Sequence, residues 1–290
     1  MKKWLGILFA VILGALTITG CSGGSDSAFD SGKDIFVVSR EDGSGTRGAF
    51  IELFDIEQRG ADGTRRDLTT KEAIIAKQTD VMMTNIVGNQ YGIGYISLGS
   101  LNDTVKALQI EGVAPTAENV KNGTYPIARP FNIATKGEAS ELARDFIDFI
   151  LSADGQEVVA KSYIAVTENA PAYAGNKPSG KIVVAGSSSV TPIMEKLKEA
   201  YQVINPNATI EIQMSDSSAG IIGVIDGTCD IGMASRSLKP SELEQLVSIQ
   251  MALDGITVIV NHKNPVENLK KEEVNGIFTG KALKWNQVTP

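Results

Sequence analysis

Three Ser/Gly-rich loops constrain the fold of this chain more than any other sequence feature. Residues 43–46 follow the β-branched apolar run 35–38, and similar polar loops at 187–191 and 215–220 also follow apolar stretches. An amphipathic helical pattern begins after each loop. Strands that alternate with helices in this way are typical of an α/β layered fold. In an open α/β sheet such loops lie at the carboxyl ends of strands, where ligands bind.

The composition of the loops predicts an anion site. A helix N-terminus presents free backbone N–H groups and the positive end of the helix dipole, and both attract negative charge. In the first loop Ser44 and Thr46 add hydroxyl donors, Arg40 adds a planar cationic fork, and Gly45 permits close approach of the backbone. Three such loops together favour a small tetrahedral oxyanion, although coincidental helix capping at all three stays open. Asp42 either orients Arg40 by a bidentate pair or is simply a turn residue.

The rest of the chain continues the strand and helix pattern. Residues 92–97, 131–135 and 256–260 are predicted as strands. The further predicted elements are helices at 116–121 and 139–152, a helix from Lys71 toward Ile86 capped by Thr69 and Thr70, and a capping box of Ser241 with Glu244.

Charge and composition exclude several function classes. The formal net charge is -7, and it becomes -9 when the N-terminal Lys2 and Lys3 are removed. An acidic chain of this kind is unsuited to nucleic acid, which needs a basic footprint. His262 is the single histidine, so a Ser/His pair would depend on it alone, and no phosphate-loop motif or His/Cys cluster indicates a cofactor or a metal.

The N-terminus has the pattern of a targeting segment. Lys2 and Lys3 precede an apolar run over 4–18 that is short for a membrane span. The run ends in Ile-Thr-Gly-Cys21, which resembles a bacterial lipobox and implies cleavage after residue 20 and a lipid on Cys21. Residues 21–34 are then expected to be a flexible tether. Cys229 remains as a free thiol, expected at a buried strand edge.

Several motifs together resemble the phosphate-binding proteins of bacterial ABC phosphate importers. The resemblance covers residues 35–288. The motifs that carry it lie at 40–47, 186–192, 217–220, 230–237, 254–256 and 277–280, with Trp285 and the Gly-Tyr-Ile run at 94–96. It implies a two-lobed periplasmic-binding-protein fold, each lobe a mixed sheet flanked by helices, that closes on phosphate.

The order of the segments differs from that family, in which the part resembling 181–288 comes first and the part resembling 35–166 comes second. The chain therefore resembles a circularly permuted member, with residues 175–180 as the linker that joins the ancestral ends. On this interpretation residues 35–125 plus 258–290 form a discontinuous lobe A, and residues 126–257 form a continuous lobe B. The hinge crossings are expected near 125–130 and 257–262.

The resemblance also implies which residues bind phosphate. Arg40, Ser44, Gly45 and Thr46 match the loop of one lobe. In the other lobe the matching residues are Ser188, Ser189, Val190 and Ser217, with Ser235 as a further candidate. Some family members use an aspartate near Ser235 to accept a proton from phosphate, whereas this chain has Ser235 and Arg236. Arg236 is either a surface salt-bridge partner or a gate residue.

The sequence thus predicts a monomeric lipoprotein on the outer face of the cell membrane. It would capture inorganic phosphate, without cofactor or nucleic acid, and deliver it to an ABC permease. Three alternatives stay open: a binder of another tetrahedral oxyanion, a phosphoryl-transfer or hydrolytic enzyme, and a cell-surface interaction protein with a degenerate site.

Overall fold

The computed structural model describes residues 29–60, 65–167 and 169–288, and within them the chain alternates strands with helices. The strands are β1 (Phe36–Arg40), β2 (Glu57–Arg59), β3 (Arg65–Asp67), β4 (Ile74–Ala76), β5 (Gly92–Ser97), β6 (Lys106–Ala107), β7 (Gln109–Ile110), β8 (Ala128–Thr135), β9 (Gly180–Ser187), β10 (Ala208–Ser215), β11 (Ile231–Ala234), β12 (Val247–Val260) and β13 (Asn268–Leu269). The helices are α1 (Gly45–Leu53), α2 (Thr79–Gly88), α3 (Ala117–Lys121), α4 (Glu141–Leu151), α5 (Ala153–Ala160), α6 (Thr191–Ile204), α7 (Ser217–Asp226), α8 (Pro240–Leu243) and α9 (Lys271–Phe278). The predicted α/β class is confirmed.

One mixed sheet organises the described part of the chain. Its strands follow the order β10-β9-β11-β8-β12-β5-β1-β4, and β6 pairs with β12. The outer strands run parallel, β10 with β9 and β4 with β1, whereas β8 and β12 pair antiparallel at the centre. The loops after β1, β9 and β10 therefore lie at the carboxyl ends of parallel strands, as the sequence predicts.

Two large hydrophobic cores share this sheet, one on each side of its centre. Phe50, Tyr95 and Trp285 belong to the core that we name core A, which packs against β1, β5 and the second part of β12. Phe146, Leu197 and other apolar residues of α4, α5 and α6 form core B, which packs against β8, β9 and β11. We use half A and half B for the parts of the chain built on these cores.

The strands are apolar on both faces because each half carries helices on both sides of the sheet. Side chains alternate along a strand, so Val37 packs into core A while Val38 packs with α2 on the opposite face. In half B Ile182 packs into core B and Val183 packs beside α7. Burial on both faces explains why these strands are continuous apolar runs in the sequence rather than alternating ones.

Strand β12 joins the two halves. Residues 247–255 pair with β8 in half B, and residues 256–260 pair with β5 in half A. The strand prediction for 256–260 is correct but covers only the second part of this 14-residue strand. Together β8 and β12 are the segments in which the chain passes between the cores.

Two local predictions are wrong. The expected helix from Lys71 to Ile86 is instead strand β4 followed by α2, because Ile74 and Ile75 pair in parallel with β1 at the edge of the sheet. Neither Thr69 nor Thr70 caps a helix. The expected capping box of Ser241 with Glu244 is also displaced: α8 begins after Lys239, whose N–H donates to Glu242 Oε2 at 2.7 Å.

The chain ends of the described part meet in half A. Ile35 N–H donates to the Leu283 carbonyl at 2.8 Å, and Asn286 N–H donates to the Ser31 carbonyl at 2.8 Å. The Phe29 ring lies 6.0 Å from the Trp285 ring. The tether predicted over 21–34 is therefore too long, because residues 29–34 pack on the body. Residues 1–28, including the predicted signal peptide and Cys21, lie outside the described residues, as does Pro290.

The segment 175–180 lies on half B. Asn176 N–H donates to Asp145 Oδ1 at 3.0 Å, and the Asn205 amide donates to the Pro178 carbonyl at 2.9 Å. The hydroxyls of Tyr173 and Tyr201 both donate to the other oxygen of Asp145. The buried carboxylate of Asp145 thus fastens a segment whose composition predicts a plain linker.

None of the helices in the described ranges is long and apolar enough to cross a membrane.

Candidate functional site

Three helix N-termini lie at the carboxyl-end edge of the sheet, between the halves. Ser44 is the N-cap of α1, and its Oγ accepts from Arg47 N–H at 3.3 Å. Asp216 caps α7 by accepting from Ala219 N–H at 2.8 Å, and α6 begins after Val190 with Pro192 in its first turn. The predicted loops therefore do open helices, and the positive ends of the three dipoles share one region.

Hydroxyl groups from both halves meet in this region. Thr46 Oγ1 of half A lies 2.8 Å from Ser189 Oγ and 3.5 Å from Ser235 Oγ of half B. Ser217 Oγ lies 3.4 Å from Ser235 Oγ and accepts from Ser235 N–H at 3.1 Å. All four side chains are buried. Each hydroxyl can both donate and accept, so the cluster suits a ligand with several oxygens, some of them protonated.

Arg40 supplies the positive charge of the site. It is 1% exposed, and its Nη2 donates to Ser188 Oγ at 3.0 Å across the two halves. Its guanidinium also donates through two nitrogens to the Glu41 carboxylate, at 2.9 and 2.8 Å, and to the Ala76 carbonyl at 3.2 Å. The fork is therefore held in a fixed orientation beside the hydroxyl cluster.

The prediction that Asp42 orients Arg40 is wrong. Asp42 pairs with Arg47 at 2.9 Å, and its side chain is 95% exposed. The reason is a tight turn, closed by Ser44 N–H donating to the Glu41 carbonyl at 3.0 Å, which directs Asp42 to solvent. Glu41, directly after the end of β1, folds back along the guanidinium instead.

Close backbone approach explains the glycines of the first loop. A Cβ on Gly45 would lie 2.7 Å from Ser235 Oγ and closer still to Ser217 Oγ. The Gly43 carbonyl accepts from Ser218 N–H of the other half at 3.2 Å. Only glycine fits at position 45 while the two halves are in contact.

Val190 is brought to the same edge, but its groups are already engaged. Its side chain packs in core B and its N–H donates to the Ser187 carbonyl at 3.0 Å. Val190 therefore begins α6 at the edge of the site, and its role in ligand binding stays a prediction.

Sequence reasoning missed three residues beside the site. Tyr95 is fully buried. Its hydroxyl accepts from Arg40 N–H at 3.1 Å and shares a hydrogen bond with Ser39 Oγ at 2.9 Å, and burial raises the pKa of Tyr95.

The other two residues form an ion pair. Arg129 Nη1 donates to the Ser235 carbonyl at 3.0 Å, and the guanidinium pairs with Asp254. Burial raises the pKa of Asp254 to about 6, although Arg129 opposes this. The sequence gives no local signal for this pair, because Arg129 and Asp254 are 125 residues apart.

Three other residues named in the sequence analysis lie outside the hydroxyl cluster. Arg236 is a salt-bridge partner, since its guanidinium donates to both oxygens of Glu242 at 2.8 and 2.9 Å. His262 is exposed, and its Nε2 lies 2.9 Å from the Asp103 carbonyl. Cys229 is a buried free thiol two residues before β11, and burial raises its pKa to about 11. Within the described ranges no group of His, Cys, Asp and Glu residues could hold a metal ion.

The comparisons with known proteins agree with this architecture. A model of the PBP superfamily domain matches residues 25–154 and 171–290. The phosphate-binding protein PstS 2 of Streptococcus agalactiae is 50% identical over 280 residues, covering 96% of this chain and 95% of that protein. The chain belongs to the PstS family. This confirms the resemblance found in the sequence.

Two further comparisons concern the PstS fold and the extent of the match. A crystal structure of the phosphate-binding protein of a phosphate ABC transporter from Streptococcus pneumoniae is 44% identical, with a TM-score of 0.71, and covers 88% of this chain and 100% of that one. The phosphate-binding protein PstS of Bacillus subtilis is 37% identical over 142 residues only, which is 47% of this chain and 44% of that protein.

Proposed function

We propose that this chain captures inorganic phosphate outside the cytoplasmic membrane and delivers it to an ABC importer, as a binding protein without enzymatic turnover. The observation that carries the proposal is the buried cluster of Thr46, Ser189, Ser217 and Ser235 beside Arg40, to which both halves contribute. The relatives named phosphate-binding proteins support the choice of ligand.

The chemistry of the cluster suits phosphate. The hydroxyls and helix N-termini supply hydrogen-bond donors without a full counter-charge for every oxygen. Arg40 supplies one cation, part of which is balanced by Glu41 at 2.8 Å. A hydroxyl such as that of Ser235 can also accept a hydrogen bond from the protonated oxygen that phosphate carries near neutral pH. We propose as ligand-binding residues Arg40, Ser44, Gly45, Thr46, Ser188, Ser189, Val190, Ser217 and Ser235.

We further propose that half A and half B are lobes that close on the anion. The boundaries are those of the sequence prediction: 35–125 with 258–290 for one lobe and 126–257 for the other. The crossing segment 125–130 includes the start of β8, whereas β12 changes its pairing from β8 to β5 between Gly255 and Ile256, just before the proposed crossing 257–262. The contacts of Thr46 with Ser189 and of Gly43 with Ser218 cross the cleft, so they would break on opening.

The anchor is the part of the proposal that lies outside the described residues. Cleavage after residue 20 and lipidation of Cys21 would tether a monomeric binding protein to the outer face of the membrane. The body begins at Phe29, which packs against Tyr91 and Trp285. That leaves residues 21–28 as the tether between the lipid and the folded protein.

We also propose that the chain is circularly permuted relative to some members of its family. Supporting this, the described chain ends lie together in half A, and the segment 175–180 lies on half B. The alignment with the Bacillus subtilis relative stops at about half of each chain, whereas that with the Streptococcus agalactiae relative spans nearly all of both. A shared permutation in the streptococcal relatives accounts for both observations.

Isothermal titration of the purified protein tests the proposed ligand. Phosphate should bind with micromolar or tighter affinity, about -8 kcal/mol or better. Sulfate should compete poorly because it carries no proton to donate to Ser235 or its neighbours. Equal binding of sulfate would favour the second candidate, a general binder of tetrahedral oxyanions, which the hydroxyl at Ser235 allows. Phosphate esters incubated with the protein should show no turnover.

A further inference from the structure

Arg129 and Asp254 form a buried ion pair at the junction of the two halves. The two residues are directly opposite each other in the register of β8 and β12. Their side chains are 2% and 1% exposed, and Arg129 Nη2 lies 3.1 Å from Asp254 Oδ2. On β12 the next residues toward half A are those that pair with β5, so the pair lies where the chain leaves one core for the other.

Arg129 connects this pair to the anion site. Its Nε and Nη2 both donate to Asp254, whereas Nη1 donates to the Ser235 carbonyl at 3.0 Å. The carbon of the guanidinium lies 5.2 Å from the centre of the Phe131 ring, which limits its movement. Ser235 is the residue whose N–H and hydroxyl lie against Ser217 in the cluster. The arginine thus fixes the backbone of a proposed ligand residue without entering the cluster.

Asp254 connects the pair to half A. Its Oδ1 accepts from Ser97 Oγ at 3.0 Å and from Gly99 N–H at 3.4 Å, both at the end of β5. A continuous hydrogen-bonded chain therefore runs from Ser235 of half B through Arg129 and Asp254 to Ser97 of half A. A buried carboxylate needs such a full set of partners to stay ionised.

We propose that Arg129 and Asp254 are a positioning pair that holds Ser235 in the anion site and couples its position to the closure of the two halves. This inference rests on the proposed phosphate binding. The pair contacts the Ser235 carbonyl and the Ser97 hydroxyl but not the ligand. We therefore expect it to affect how long the closed complex lasts. Loss of the arginine fork should therefore raise the dissociation rate constant while association, which depends on steering by net charge, changes little.

The substitution Arg129→Lys tests this because it keeps the charge and removes the fork. A lysine ammonium is a single point of attachment and cannot donate from fixed positions to both Asp254 and the Ser235 carbonyl. In stopped-flow measurements with inorganic phosphate, the dissociation rate constant should rise at least about tenfold and the association rate constant should stay within about twofold. The matched control is Arg144→Lys on α4, an exposed arginine whose replacement should change neither.

A double-mutant cycle separates positioning from a general structural effect. If Arg129 acts through Ser235, the effects of Arg129→Lys and Ser235→Ala on dissociation should be less than multiplicative. The effects of Arg129→Lys and Ser188→Ala should multiply, since Ser188 Oγ bonds Arg40 rather than Ser235 or the pair. Independent effects of Arg129→Lys and Ser235→Ala, or a dissociation rate constant within about twofold of wild type for Arg129→Lys, would overturn the proposal.

Amide hydrogen exchange on the ligand-free protein gives a readout that does not need phosphate. Arg129→Lys should speed exchange at Ser235 and Gly99 but not at Ile182 in core B, and equal acceleration at all three would overturn the proposal. If the wild type binds no phosphate, the proposed function fails and this exchange pattern alone decides the positioning role. Should Arg129→Lys fail to fold, Ser97→Ala removes one donor at the far end of the chain and should raise dissociation about threefold or more; an unchanged rate would overturn the proposal.

Discussion

The substitution Gly45→Ala should block closure on the anion while leaving the protein folded. A Cβ at position 45 would lie 2.7 Å from Ser235 Oγ and 3.1 Å from Ser217 Cβ, whereas ordinary van der Waals contacts begin at 3.4 Å. Overpacking of this kind costs about 1–3 kcal/mol. At 1.4 kcal/mol per decade, phosphate binding should weaken by about 5- to 150-fold. We expect the upper part of that range, because two hydroxyl-bearing side chains from the opposite half are displaced at once.

Gly48→Ala is the matched control. It lies in the same helix, and a Cβ there meets only Arg236 Cδ at 3.9 Å, so it should bind phosphate like the wild type. Both variants gain about 0.5–1 kcal/mol of helix stability at most, and an open cleft relieves the clash at Gly45. Isothermal titration and thermal unfolding should therefore show weak binding with near-normal stability for Gly45→Ala. An affinity within about threefold of the control would refute the account of closure, because the predicted energy cost would be absent.

Three further predictions test other parts of the structure. In titrations, Arg40→Ala should lose about 1.5–3 kcal/mol of phosphate binding, more than Ser217→Ala, with Arg236→Ala smallest; a larger effect of Arg236 would mean that the main counter-charge is misplaced. Although burial raises the pKa of Glu242, the Arg236 and Lys239 contacts hold it below 4.5 overall, so the pair stabilises the fold above that pH. The stability difference between wild type and Glu242→Gln should thus be present at neutral pH and vanish on acidification; a difference that persists at low pH would contradict this. Cys229 should resist thiol reagents at pH 8 until the protein unfolds, since its pKa is about 11, and rapid labelling of the folded protein would contradict its burial.

The parts of the site that follow from local sequence were predictable. Each Ser/Gly loop lies between an apolar strand and an amphipathic helix, and those patterns involve residues close in the chain. The prediction of Asp42 as the partner of Arg40 failed because the turn that exposes Asp42 depends on one backbone hydrogen bond. Val190 lies in the predicted loop, and its N–H forms the turn that begins α6.

Pairings between distant segments were not predictable. Nothing in the sequence near Arg129 indicates Asp254, and their contact depends on the register of β8 with β12. Strand β4 replaces part of the predicted helix because Ile74 and Ile75 are exposed at the sheet edge, and apolar residues there do not form a buried helix face. Its pairing with β1 decides the conformation there.

A crystal structure of the protein grown with phosphate tests the central claim most directly. The account predicts one phosphate ion in the buried cleft, with oxygens within hydrogen-bond distance of Arg40, Thr46, Ser189 and Ser217 and with the Glu41–Arg40 pair intact. It also predicts that Ser235 contacts the ion while Arg129 holds the Ser235 carbonyl. Phosphate bound elsewhere, or a cleft that binds no anion at saturating phosphate, would contradict the account.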